Sequence, residues 1–493
     1  MKARALPEFS FVVFLLAYAS TTFNVSAQPL DEATSGDPSG QSVSESSATS
    51  AASDTRFEQR LAWNQTTLRD AYDKVGNKNA KWDDCARRAL EGFARVRTLH
   101  SEESEAKSEM RRTIATNCAQ AVATGCNDPM IAYLHALYPV GDEGTNAGVV
   151  AQAFRKAADD LNRSAYPYIR KFYGADRAAR KLKLAAGTNT PPEVHHYRKL
   201  AVTNLTLALQ DKSIPIGEVD AACESMRGTL SSNKKQMEQF YFQVEKTLFT
   251  NWPESSFPWL FKGQFYVTHA WAARGSGYAY TVTEEGWKHF AERLAVAEEA
   301  LQRAWGMNPS DVRIPLAMLN VELGQGRGRQ RMERWFSLAM SIDTNSYAAC
   351  RAKLYYLEPK WHGSEADMLA FGRRCAESRE WGGQVPLALA HAHDSLAKYV
   401  EKKKREDYWK QSHVWSDIRK AYNRFFELNP HAAPSFKQRY ARHAYQCEQW
   451  EELNKLIPQL GDIDYEVFGG RAEFEKMVAL AHENSSKVQG HEK

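Results

Sequence analysis

One short phrase occurs twice in this chain, as Ala300-Leu-Gln-Arg-Ala304-Trp-Gly-Met-Asn-Pro309 and as Ala421-Tyr-Asn-Arg-Phe425-Phe-Glu-Leu-Asn-Pro430. In each copy small or apolar residues recur three and four apart, the spacing of one helix face, and Asn-Pro then ends the run because Pro lacks an amide hydrogen and clashes with the turn before it. A looser copy lies between them, where Met332, Phe336 and Ala339 lead into Ile342 and Asp343. A single helix of this kind cannot bury its apolar face alone. Stacked neighbours can, so the repetition predicts an all-α fold, an array of antiparallel helix pairs with irregular repeats.

The rest of the chain reads the same way. Asp83-Asp84 opens a helix with Ala89, Phe93 and Val96 on one side, acids standing where the helix dipole favours them. Ser101-Glu102-Glu103 caps a second helix carrying Met110, Ile114 and Cys118, and Asp128-Pro129 opens a third. Beyond Trp252 the alternation becomes regular. Phe290, Leu294, Ala297, Leu301 and Ala304 form a four-three-four-three stripe that must face a neighbour.

The N-terminus reads differently. Lys2 and Arg4 precede the apolar run Phe9 to Ala19, and Val25-Ser26-Ala27 ends it with the small residues signal peptidase accepts, so residues 1–27 read as a secretory signal peptide. The run is too short for a bilayer that requires about 20 apolar residues, and no transmembrane anchor is expected elsewhere. Residues 28–54 hold eight Ser and no aromatic residue, which predicts a disordered linker. Of the 13 Trp, 11 lie from Trp252 onward, which suggests an N-terminal helical region over 55–250, a repeat region over 251–480 and a polar tail over 481–493. The expected location is exported, periplasmic or extracellular. A formal net charge of +4 is too near balance for a nucleic-acid binder.

Candidate sites are few. Cys350 and Cys375 lie on apolar stripes of helices joined by the short connector Glu358 to Gly363, so both sulfurs can meet at one interface, and in an exported chain they are candidates for a disulfide. Cys118 and Cys126 form a second candidate pair. Trp271, Arg274, Tyr278 and Tyr280 combine a cation, a Gly-rich turn and three aromatics at a helix end, a composition suited to a peptide carboxylate or a glycan. Lys360 and Trp361, in Leu357-Glu-Pro-Lys-Trp361-His-Gly-Ser364, are left over after Pro359 and the Ser364 cap explain the rest of the connector. Gly324 to Arg331 has the composition of a phosphate loop but follows a helix and lacks the Lys-Ser/Thr ending. In His391-Ala-His393-Asp394 the two His diverge by about 200° on a helix, so only His391 and Asp394 share a face, and no metal or other cofactor is expected. No GxSxG, HExxH or papain-type cysteine context occurs.

The segment from about Trp252 to Cys375 resembles an uncharacterised bacterial family of exported tetratricopeptide-like proteins, a domain of unknown function. The resemblance is carried by Ala270-Trp271-Ala-Ala-Arg274-Gly-Ser-Gly277, by Gly326 to Ala339, by the Leu357 to Ser364 phrase and by Phe371-Gly-Arg-Arg-Cys375. It implies a TPR-like α-solenoid and brings no activity or catalytic residue. Together these features favour a non-catalytic interaction or scaffold protein that binds a peptide or protein partner in the cell envelope. The alternative is a glycan-binding protein or carbohydrate-active enzyme that uses the aromatic loop.

Overall fold

The computed structural model describes residues 58–98, 104–140 and 146–490. The expected signal peptide (1–27) and linker (28–54) lie outside the described residues. Among those described every regular element is helical, with no strand, so the protein is an all-α array of helix pairs packed in series, as the repeats predict. None of these helices is long and apolar enough to cross a membrane. Two compact units, Met1–Arg293 and Leu294–Lys493, make up the chain.

In the N-terminal unit, α1 (58–65) runs through a π-helical turn, Thr66–Asp70, into α2 (Ala71–Val75). Then follow α3 (Asp83–Val96), α4 (Ser104–Ala123), α5 (Pro129–Leu137), α6 (Ala147–Arg163), α7 (Tyr168–Ala185) and α8 (Pro192–Ala208). The unit continues with α9 (Ile216–Leu230), α10 (Lys234–Asn251), α11 (Phe257–Arg274) and the start of α12 (Glu284–Met307). Capping follows the expected chemistry at α5, where the Asp128 carboxylate accepts from the backbone N–H groups of Met130 and Ile131. The same carboxylate also accepts from Asn77 N–H and Tyr166 OH. Burial pushes its pKa above the ordinary value, and those donors act against the rise.

One buried charge cluster ties four elements of this unit together. Glu218 of α9 has no exposed surface, and its carboxylate accepts from Arg60 Nε of α1 at 3.0 Å, from Arg97 Nη2 just past α3 at 2.6 Å and from Tyr173 OH of α7 at 3.0 Å. Arg170 of α7, equally buried, donates to Asn64 Oδ1 at 2.7 Å and to Thr67 Oγ1, so the π-helical turn is part of the same cluster.

The C-terminal unit takes up the rest of α12 and continues through α13 (Arg313–Gln325), α14 (Arg329–Ile342), α15 (Tyr347–Tyr356), α16 (Glu365–Glu377) and α17 (Ala388–Leu396). It ends with α18 (Arg405–Trp409), α19 (Ser412–Leu428), α20 (Pro434–Gln446), α21 (Trp450–Leu456) and α22 (Arg471–Gly490). Both full copies of the repeated phrase lie on helices, α12 and α19, that stop at the phrase's Asn. Leu301, Ala304, Ala421 and Phe425 are buried there, as are Met332, Phe336 and Ala339 of the looser copy on α14.

Two expected boundaries move. The Pro- and Ser-rich stretch after residue 250 is a turn between helices that pack tightly, Tyr241 of α10 stacking on Phe265 of α11 at 3.8 Å between ring centroids. The units divide inside α12 instead. The expected tail from 481 is the last part of α22, which is held because Ala481 is buried and accepts from Asn454 Nδ2.

Candidate functional site

The loop after α11 separates into an inner and an outer part. Arg274 is 7% exposed, and its Nη1 donates to the carbonyls of Gly275 and Gly277 at 3.3 and 3.0 Å. Its guanidinium lies over the rings of Trp271 and Trp287, at 5.9 and 5.5 Å from their centroids, and Trp271 in turn meets Phe290 edge to face at 4.9 Å. Gly275 has φ 75°, so the turn that brings those carbonyls back to Arg274 suits glycine. Arg274 and Trp271 therefore hold the loop. Tyr278 and Tyr280 face outward, 48% and 85% exposed, stacked on each other at 5.6 Å with ring planes 5° apart.

Lys360 and Trp361 are likewise tied down. The Lys360 ammonium pairs with Glu358 at 2.7 Å and lies 4.6 Å from the centroid of the Tyr355 ring, and Trp361 meets the same ring edge to face at 5.9 Å. Gly363 closes this connector because a Cβ there would fall on the Leu357 backbone. Ser364 caps α16 through Asp367, as its sequence predicts.

The expected disulfides are corrected. All seven cysteines are free thiols. Cys350 and Cys375 are neighbours, as their stripes predict, but as buried free thiols of α15 and α16 with no bridge, and burial first and then Cys350 push the Cys375 thiol up. Cys118 and Cys126 are also unbridged; burial first, and then the neighbouring Cys126, push the Cys118 thiol up to about 12.

Gly324 to Arg331 is a helix-to-helix turn, not a cradle for phosphate. Arg331 grips Glu322 with Nε and Nη2, at 3.0 and 2.9 Å to Oε1, and reaches Glu298 at 2.7 Å, while Arg327 and Gln325 also donate to Glu298 at 2.9 Å.

The two His of α17 do diverge. His393 points into the core, between Tyr408 OH at 2.8 Å and the Asp417 carboxylate at 3.2 Å. His391 and Asp394 open instead on a cavity of about 430 Å³. Asp394 accepts from Arg442 Nη2 at 3.1 Å and lies 3.2 Å from His443 Nε2, and His443 Nδ1 is 3.2 Å from Tyr422 OH. Burial acts against the Asp394 anion, yet His443 and Arg442 together hold its pKa well below the carboxylate range. His391 is pushed down to about 4 by burial and then by the Arg351 cation, so it is neutral at pH 7. Tyr347, Arg439, Asp464 and Glu466 complete the polar lining. Sequence reading reached His391 and Asp394 but not Arg442 and His443, because partners 48 and 49 residues away leave no local spacing signal. Among the described residues no group of three His, Cys, Asp or Glu is placed to hold a metal ion.

No family model and no curated protein matches this chain. Among solved structures, the human IFIT1 dimer with m7Gppp-AAAA is similar over 86% of this chain and 95% of that chain, at 12% identity and a TM-score of 0.26.

Proposed function

We propose that this chain is an exported, non-catalytic helical-repeat scaffold that binds a peptide or protein partner in the cell envelope, as a member of the exported tetratricopeptide-like group it resembles. The observation that supports this reading most directly is the Tyr278–Tyr280 pair. Large rings left in water on a clamped loop add nothing to the core, whereas tyrosines pre-stacked at low entropic cost are well suited to a contact surface. Export rests on the charged, apolar and small-residue order of residues 1–27. The same parallel rings also suit the flat face of a sugar, which keeps a glycan as the alternative ligand.

Two variants separate contact from support. Replacing Tyr278 and Tyr280 together by Ala should abolish capture of the partner from envelope extract and leave the melting temperature nearly unchanged. Arg274→Ala should instead cost stability, about 1.5–3 kcal/mol for the lost charge-assisted hydrogen bonds. A double variant that melts early would assign the tyrosines to packing, and retention of the wild-type chain on a glycan array without peptide capture would select the alternative. Export has its own check. Intact-mass measurement of the secreted product should give a chain starting near Gln28, and a retained N-terminus would overturn that part of the reading.

A further inference from the structure

The cavity beside α17 carries charges of both signs, and only Asp394 and Arg442 among them form an ion pair that does not involve a histidine. Arg439 of α20 makes no ion pair among the described residues, and its nearest aromatic partner is Phe436 on its own helix, 5.9 Å from the guanidinium carbon to the ring centroid. Glu466, on the segment after α21, makes no side-chain hydrogen bond or ion pair among the described residues, although it lines the same space. Arg442, next to them, spends Nη2 on Asp394 while its Nε is buried with no acceptor. Neither ring nitrogen of His391 has a hydrogen-bond partner among the described residues. Arg439 and Glu466 are exposed, where an unpaired charge is ordinary, but the enclosed Arg442 Nε is not, since an unpaired polar group in the interior is costly.

The charges are also sorted by element. Arg439 and Arg442 come from α20, as does His443, and Asp464 and Glu466 come from the segment at 464–466. The third carboxylate, Asp394 of α17, already takes Arg442 Nη2, and the phenols of Tyr347 and Tyr422 and the neutral His391 are also on the lining. A polyanion such as a nucleic acid would meet three carboxylates here, so it fits badly. A small molecule carrying both signs meets a complement for each. The volume is at the lower end of the range for small-molecule sites, which run from about 300 to 1,000 Å³.

We propose that this cavity binds a small amino carboxylate, a free amino acid or a very short peptide, with Arg439 and Arg442 receiving its carboxylate, Glu466 its ammonium group and His391 donating or accepting a hydrogen bond. The site lies in the C-terminal unit and is independent of the Tyr278–Tyr280 surface. Each proposal therefore survives the failure of the other.

The test is equilibrium dialysis of the full chain against three probe sets, read by mass spectrometry: the 20 common amino acids, a dipeptide mixture, and the same compounds N-acetylated or C-amidated. Retention of members of the first or second set, with the blocked forms at least tenfold weaker, is the expected result, and which set is retained identifies the source. Arg439→Ala and Glu466→Gln should each weaken retention at least tenfold without moving the melting temperature, because both residues are exposed. Retention of none of the probes, equal retention of blocked and free forms, or full retention by Arg439→Ala would overturn the proposal.

Discussion

Glu218→Gln should destabilise the protein by about 3–5 kcal/mol in urea unfolding at neutral pH, among the larger effects a single polar substitution can have. Gln keeps the shape and one acceptor oxygen, so the loss would come from the missing charge and from an amide N–H set against donors, since Oε1 accepts from Arg60 and Oε2 from Arg97 and Tyr173. In the native protein burial alone would push the Glu218 carboxyl up, but the guanidinium groups of Arg97, Arg60 and Arg170 override it and hold the group far below the carboxylate range. Without that anion, Arg97 and the fully enclosed Arg170 face each other uncompensated. Burial, followed by Arg97, already pushes the Arg170 guanidinium down to about 10 with Glu218 in place. The contrast is Glu109→Gln. Glu109 pairs with Arg112 at 2.5 Å, as short as any contact to Glu218, but both side chains are about two-thirds exposed, and solvent leaves such a pair worth less than about 1 kcal/mol.

The same group sets a pH dependence. Because the folded pKa of Glu218 is depressed, its stabilisation is fully present above the ordinary carboxylate value, about 4.3, and is lost as pH falls through the folded value. The stability gap between wild type and Glu218→Gln should therefore be flat from pH 7 to about 5 and shrink in stronger acid. A loss below about 1 kcal/mol at pH 7, or a gap that widens in acid, would remove the cluster from the forces holding α1, α3, α7 and α9 together.

What was legible in the sequence depended on distance along the chain. Helix faces repeat every three or four residues, so the stripes on α12, α14 and α19 could be read directly. Short connectors fix antiparallel neighbours, so the meeting of Cys350 with Cys375 could be read as well, although not whether their sulfurs bond. The α17 argument also held, with His393 turned to the core and His391 with Asp394 to the cavity. Partners far apart in sequence left no trace. Glu218 looks like any first-turn acid of a helix, and nothing near it announces Arg60, 158 residues earlier. The loop after α11 was legible in composition but not in orientation, since Arg274 and the tyrosines share one phrase and face opposite ways.

Arg331→Ala tests the other place where composition and structure disagree, and it should cost about 3–5 kcal/mol. The Glu322 side chain is fully buried, and the two-pronged grip of Arg331 supplies its compensating charge, so truncation leaves a carboxylate enclosed without a cation. Glu298 is less exposed to such a loss: burial opposes its ionisation, and hydrogen bonds from Gln325 and Arg331 and the charge of Arg327 hold its pKa low together. Arg327→Ala removes one of several partners from a half-exposed position and should cost under about 1 kcal/mol. Arg331→Lys should fall between them, because a single ammonium cannot reproduce the paired N–H geometry. A ranking of Arg331→Ala, then Arg331→Lys, then Arg327→Ala in urea midpoints is the expected outcome. Three equal and small losses would mean that these arginines are not needed by the glutamates, and the Gly- and Arg-rich turn would then have cations to spare for a ligand.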